Sequence, residues 1–212
     1  MGRRKKEPKS VHRKNIADAA YTLFMQKGID STSMDDIAKH AKYSKATLYV
    51  YFENKQEIIG FLVLNSMKKL YEYISSALNE PKSTKQTYDL ICDALVKYNN
   101  EFPAYFKMTL DKININFEQS DYLPEEKETY EIGELINNKL EEFFNLGIKN
   151  GDLRKDLQII PTILNLWGMM SGIIYLSENK GEYVESRTNM SKTQFLKYGF
   201  DMLYMSIKNT EE

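Results

Sequence analysis

Apolar residues in this 212-residue chain recur at three- and four-residue spacing from Ile16 to Ile207, and alternation with polar residues at period two never lasts more than a few positions. Such spacing lines one face of an α-helix, whereas a half-buried strand needs strict alternation. The chain is therefore read as all-α, with about nine helices and no sheet. Its 10 Gly and 5 Pro are too few for the many tight turns of an all-β protein. A hydrophobic content of 42% supplies enough apolar side chain to bury a core, which excludes wholesale disorder.

Helix boundaries follow from local chemistry. Ile16, Ala17, Ala20, Tyr21, Leu23 and Phe24 form the first stripe, and Gly28 followed by Ile29 reads as a left-handed helix stop with an apolar contact behind it. Ser33-Met34-Asp35-Asp36 has the hydroxyl and carboxylate of a capping box, and opens a short helix whose buried face is Ile37, Ala38 and Ala41. Lys42-Tyr43-Ser44 interrupts, and Ser44 caps a third helix from Lys45 to about Tyr51. A fourth helix begins near Asn54-Lys55 and leads through Ile58, Phe61 and Leu62 to Leu78. Beyond Pro81 and Ser83 comes a helix through Tyr88 and Leu95, then one from Phe102 to Phe117 with Pro103 in its first turn. Pro124-Glu125-Glu126 opens the next, which Asn150-Gly151 closes. Ile159 to about Leu176 follows, then a loop holding Gly181, and a last helix from Phe195 to Ile207.

Charge is unevenly spread. Residues 1–55 hold 12 basic and 6 acidic side chains, and the remaining 157 residues hold 17 and 24. A basic quarter on an acidic remainder fits a polyanion-binding module joined to a part with another task, or a solvated basic tail. One Cys and two His exclude zinc fingers, disulfide scaffolds and Cys–His catalysis. Cys92, on an apolar stripe, reads as a small core residue, and no metal or cofactor is expected. Gly168-Met-Met-Ser-Gly172 has the wrong spacing for a nucleophile elbow, and no phosphate-binding glycine loop is present, so an enzyme is not the expectation. The start, Met1-Gly2-Arg3-Arg4-Lys5-Lys6, lacks the apolar run of a secretory signal, and a cytoplasmic location is expected.

The second and third helices, joined by about three residues, form a helix-turn-helix. A recognition helix must be short and slim at its N-terminal end. Ala46 permits close approach, Thr47 offers a hydroxyl or a methyl, and Lys45 reaches guanine or phosphate. Leu48 and Phe52 fall on the opposite side, toward Ile37 and Ala41. Helix N-termini at Ser33 and Ser44, and Lys55 at the start of the fourth helix, suit phosphate. Tyr49 and Tyr51 read as phosphate contacts, with core packing as the alternative.

The run Gly28-Ile-Asp-Ser-Thr-Ser-Met-Asp-Asp-Ile-Ala38, followed by Ser44-Lys-Ala-Thr-Leu-Tyr-Val-Tyr-Phe-Glu-Asn-Lys55, closely resembles the DNA-binding domain of TetR-family transcriptional regulators. Gly147 to Arg154 is similar to the loop before that family's dimerisation helices. The resemblance covers about residues 10–70 and implies a helix-turn-helix domain there, preceded by a basic arm over residues 1–9. Residues 71–212 would then form a larger helical domain for ligand binding and dimerisation. It implies a homodimeric, ligand-responsive repressor on an inverted-repeat operator of double-stranded DNA. DNA contacts carried over onto this sequence are Thr32, Ser33, Ser44, Lys45, Ala46, Thr47, Tyr49, Tyr51 and Lys55. The stretch from Arg3 to Lys14 either tracks DNA or stays unstructured. The alternatives are a sequence-independent DNA-coating protein and, less favoured, an enzyme of unrecognised type in the C-terminal domain. Two positions depart from the family: Lys42-Tyr43 replaces the usual Gly-Val, and Ala46 a common Gly. A positive φ at Lys42 would strain the turn.

Leu157 to Ser177 is 21 residues without a charge, long enough to span a bilayer, but Gln158, Pro161 and Asn165 lower its hydrophobicity. It reads instead as a helix buried in a dimer, where Gly168, Ser171 and Gly172 admit a partner helix. The last helix then completes half of a four-helix interface, so the homodimer forms through residues near 159–177 and 193–208. An intramolecular core helix is the alternative. For an effector, the candidates are Phe102, Tyr105, Phe106, Met108, Trp167, Met170 and Tyr175. A cationic drug, a fatty acyl group and an aromatic acid all suit such a lining.

Overall fold

Four serines begin helices. The side chains of Ser33, Ser44, Ser83 and Ser191 accept hydrogen bonds from the amides of Asp36, Thr47, Gln86 and Gln194, each three residues on. In all but Ser44 the third residue's side chain answers back to the N-cap amide, completing a capping box. Each such cap satisfies donors that a helix start leaves open, and is worth about 1 kcal/mol.

The computed structural model describes residues 8–79, 82–110 and 124–210. Ten helices span these residues: α1 Lys9–Lys27, α2 Met34–Ala41, α3 Lys45–Tyr51, α4 Lys55–Leu78, α5 Thr84–Glu101, α6 Pro103–Met108, α7 Pro124–Lys149, α8 Ile159–Asn179, α9 Gly181–Thr188 and α10 Lys192–Ile207. The described residues contain no strand, only an isolated bridge between Leu153 and Lys208. The protein is all-α.

Three sequence expectations change. Helix α1 begins at Lys9, so Lys9 to Lys14 are helical rather than part of an arm; residues 1–7 lie outside the described residues. These positions carry no apolar stripe, so periodicity has nothing to report there. Residues around Gly181 form α9 instead of a loop, anchored by its one buried side chain, Val184. A single anchor leaves no period to read. The helix expected from Phe102 to Phe117 ends at Met108, and 111–117 lie outside the described residues.

The chain divides into two units, one drawn from residues 1–68 and 107–130, the other from 69–106 and 131–212. In the first, α1 packs on α2 and α3, burying Ile16, Ala20, Ile37, Leu48 and Phe52, with Ile58 and Leu62 from the first part of α4. In the second, α5, α8 and α10 pack mutually, with α9 against α8 and α10. Tyr88, Leu95, Leu166, Met170, Ile174, Phe200 and Tyr204 are buried there. The Tyr88 hydroxyl donates to the Phe200 carbonyl oxygen at 2.9 Å, which satisfies a phenol in an apolar setting. Glu178 joins α5 to α10 by accepting from Asn99 Nδ2 and Lys192 Nζ at 3.0 and 2.6 Å.

Helix α8 is long and apolar enough to cross a membrane, and 28% of its most apolar stretch is buried. Ile163, Leu166, Met170, Ser171, Ile174 and Ser177 make up its buried face. Ser171 therefore belongs to the chain's own core, not to a close-approach stripe with Gly168 and Gly172. The opposite face leaves Ile160, Leu164, Met169, Tyr175 and Leu176 exposed, and α10 leaves Tyr198, Met202 and Met205 exposed.

Gly147 is needed for contact rather than for backbone freedom. A Cβ there would lie 2.7 Å from Leu153 Cδ1 and 3.0 Å from Thr84 Cγ2, and Leu153 is fully buried with no room to retreat. Gly147→Ala is expected to destabilise the fold by about 1–3 kcal/mol, read as a lower thermal midpoint. An unchanged midpoint would mean that the α7 end and Leu153 are not packed this way.

Candidate nucleic-acid interface

Helix α3 has seven residues, too short to persist alone, so burial decides which way it faces. Leu48 is fully buried and Phe52, its C-cap, nearly so. The opposite face is open: Ser44, Lys45 and Ala46 are exposed, Tyr49 is 43% exposed and Val50 68%. Thr47 is half-buried, its Oγ1 2.7 Å from Ser44 Oγ. Val50 escapes the sequence reading, although it stands one turn beyond Ala46 and the 3.6-residue period puts it on the same face.

Several contacts brace this helix. Lys45 Nζ pairs with Asp35 Oδ1 at 2.8 Å, tying the start of α3 to α2 and raising the Lys45 pKa. The turn between them runs through Lys42, whose φ of 61° is left-handed; its amide and that of Tyr43 donate to the last α2 carbonyls. A lysine there costs about 1–2 kcal/mol relative to a relaxed backbone. Tyr43 is held from α1, its hydroxyl 2.7 Å from His12 Nδ1. The His12 ring lies 5.0 Å from that of Tyr51, so half-buried Tyr51 packs at this junction. His12 and Tyr43 carry no sequence signal for this role, because their pairing spans 31 residues.

On the other side of α3, the Arg13 guanidinium covers the rings of Phe52 and Phe61 at 4.5 and 5.1 Å. It pairs with Glu57 at 3.4 Å and Glu125 at 2.6 Å. Glu57 in turn accepts from the Glu53 amide at 2.7 Å, fixing the turn between α3 and α4.

The remaining expected contacts divide by exposure. Ser33 is exposed at the α2 N-terminus. Thr32 is 1% exposed, and its hydroxyl donates to the Gly28 carbonyl oxygen at 2.8 Å. Lys55 is half-buried, donating to the carbonyl oxygens of Ile29 and Thr32 at 2.8 and 3.0 Å. These two residues shape the α1–α2 connection.

The residues expected around an effector lie mainly in an aromatic chain of the second unit. Ring centroids link Tyr73 to Tyr98 at 5.6 Å, Tyr98 to Phe102 and Phe106 at 6.1 and 6.0 Å, Phe102 to Tyr105 at 5.9 Å, and Phe106 to Trp167 at 6.0 Å. Met170 is buried in the second unit and Met108 in the first. Tyr175 is 59% exposed, on the outer face of α8.

The profile described as "Bacterial regulatory proteins, tetR family" matches residues 16–60, the stretch from within α1 through α2 and α3 to the start of α4. Residues 16–60 are thus similar to the DNA-binding part of TetR-family regulators. Within this chain, 87 residues are 37% identical to the Biofilm operon icaADBC HTH-type negative transcriptional regulator IcaR of Staphylococcus aureus, covering 41% of this chain and 43% of that one. IcaR of Staphylococcus epidermidis is 41% identical over 59 residues, 28% of this chain and 32% of its own. The chain thus spans less than half the length of the curated relatives it matches. Solved structures extend the likeness in fold. The fatty acid degradation regulator FadR from Bacillus halodurans has a TM-score of 0.67 at 19% identity, covering 95% of this chain and 97% of its own. The TetR family transcriptional regulator PfmR from Thermus thermophilus has a TM-score of 0.66 at 21% identity, covering 93% and 99%.

Asp36 supplies a pH test of the interface scaffold. Lys27 Nζ at 2.8 Å, then the amide and hydroxyl of Ser33, hold its carboxyl well below the usual carboxylate range. A depressed pKa means that its contribution is present at neutral pH and lost only as pH falls through the folded-state value. Side-chain carbon NMR should show Asp36 still ionised below the pH at which ordinary carboxyls titrate, with Lys27→Gln moving its midpoint upward. Titration of Asp36 alongside exposed carboxyls would contradict the geometry.

Proposed function

We propose that this chain is a transcriptional repressor that binds an operator as a homodimer in the cytoplasm and responds to a small-molecule effector. The observation that carries the reading is the exposed face of α3, from Lys45 to Val50, on a helix fixed by burial of Leu48 and Phe52. DNA-facing roles fall to Ser33, Ser44, Lys45, Ala46, Thr47 and Tyr49. Ala46 admits the backbone to the major groove, and Thr47 and Val50 present methyl groups to thymine. The Lys45 ammonium, already half-committed to Asp35, turns to phosphate or guanine. Thr32, Tyr51 and Lys55 act by holding the head in shape. Residues 10–70 form the DNA-binding domain and 71–212 the effector and dimerisation domain. No catalytic step belongs to this function.

Dimerisation uses the exposed apolar faces of α8 and α10. Leu164, Met169, Tyr175, Tyr198, Met202 and Met205 leave an apolar surface that a second copy buries. A two-fold dimer reads an inverted repeat whose half-sites are spaced by about 34 Å or a multiple of it. Met202→Asp is expected to give a folded monomer by sedimentation, with helical content unchanged. A stable dimer in that variant would move the interface elsewhere.

Selection of bound sequences from a random duplex library at two salt concentrations tests the DNA reading. An inverted repeat that keeps its preference at the higher salt supports it. Recovery of no motif, with binding that vanishes as salt rises, would reduce the head to a phosphate-binding module. On the selected repeat, Thr47→Ala should weaken binding by about 1–3 kcal/mol while leaving random duplex nearly unaffected. Equal losses on both would remove Thr47 from base reading.

A further inference from the structure

Where α4 ends and α5 begins, the second unit holds a cavity of about 390 Å³ bounded also by the last turns of α7. That is within the range of about 300–1,000 Å³ found for small-molecule sites. It is separate from the aromatic chain around Tyr98: none of those rings lines it. Its chemistry is mixed. Leu78, Phe143 and Leu146 form an apolar wall, while Lys82, Lys139, Glu142 and Asp152 bring two charges of each sign.

Lys139 and Glu142 stand one turn apart on α7, and among the described residues neither is in an ion pair; Lys139 Nζ rests 5.9 Å from the centre of the Tyr71 ring. Asp152 is positioned by the Thr84 hydroxyl, which donates to Oδ2 at 2.6 Å. Thr84 is also the first residue of α5, whose positive end therefore opens beside the cavity. One turn further in, Thr87 lines the same space. It is 7% exposed, and its hydroxyl has no hydrogen-bond partner among the described residues. Because Thr87 lines the cavity, a bound polar group can pair with that hydroxyl.

We propose that this cavity binds a small zwitterion of the α-amino-acid class with an apolar side chain. Its carboxylate meets Lys139 and the α5 N-terminus, its ammonium meets Glu142 and Asp152, and Thr87 hydrogen-bonds the head group. A purely anionic ligand would face two carboxylates, and a purely cationic one two lysines and a helix N-terminus. Only adjacent opposite charges match the lining. The proposal deepens the effector-responsive reading by naming the effector's chemistry. Binding is therefore measured on the free full-length protein, without DNA.

Calorimetric titration with L-leucine and L-phenylalanine, and with isocaproate and isoamylamine as leucine lacking one charge each, tests the site. At least one amino acid should bind about tenfold or more tightly than either single-charge analogue, a difference of one charged contact. Thr87→Val and the exposed Glu142→Gln should each lower that affinity several-fold with unchanged thermal midpoints. Isocaproate binding as well as leucine, no heat from either amino acid at millimolar concentration, or affinity indifferent to both substitutions would overturn the proposal. If an amino acid binds but operator affinity does not change, the site stands and the effector role falls.

Discussion

Burial of Leu48 and Phe52 is the constraint on which the rest of the head depends. A seven-residue helix has no stability of its own, and two large apolar side chains give it, at about 1.5–3 kcal/mol each, a reason to form and a single orientation. Once those two face Ile37 and α1, the positions of Lys45, Ala46, Tyr49 and Val50 are decided, since helical geometry leaves them nowhere else to point. Arg13 closes the same core from the side, its guanidinium lying on Phe52 and its charge answered by Glu57 and Glu125. The exposed face of α3 is thus a consequence of packing.

The braces around α3 share a logic. Short polar contacts tie neighbouring segments together: Lys45 to Asp35, Tyr43 to His12, Lys55 to the carbonyls of Ile29 and Thr32. The exposed Lys45–Asp35 pair adds little stability by itself, and the other contacts are part-buried. Their effect is on placement, because a recognition helix displaced by an ångström loses its base contacts. Lys42 belongs to the same account, for its left-handed backbone is a strain accepted so that α2 stops where α3 must start.

What could be read in the sequence was local. The capping box at Ser33 and Asp36, the Ser44 cap and the stop at Gly28 depend on residues three or four apart, and each stands in the structure where the residues pointed. The apolar stripes of α5, α8 and α10 were legible for the same reason. The start of α1 and all of α9 were not, since neither carries a repeated apolar position. Nor were the settings of Thr32 and Lys55 legible: the partner carbonyls of Lys55 lie 23 and 26 residues away, so only the assembled turn reveals them. Small residues on a helix look alike in sequence whether a neighbour within the chain or a second copy covers them, and Ser171 is covered within the chain.

The outer face of α3 is the surface proposed to meet the duplex. A photoreactive phenylalanine analogue placed at Tyr49, and separately at Tyr198 on α10, tests this most directly, because both side chains are exposed and neither supports the core. Irradiation with a selected operator should crosslink position 49 to bases of each half-site and leave position 198 free of DNA. Crosslinks from position 198, with none from position 49, would contradict the account.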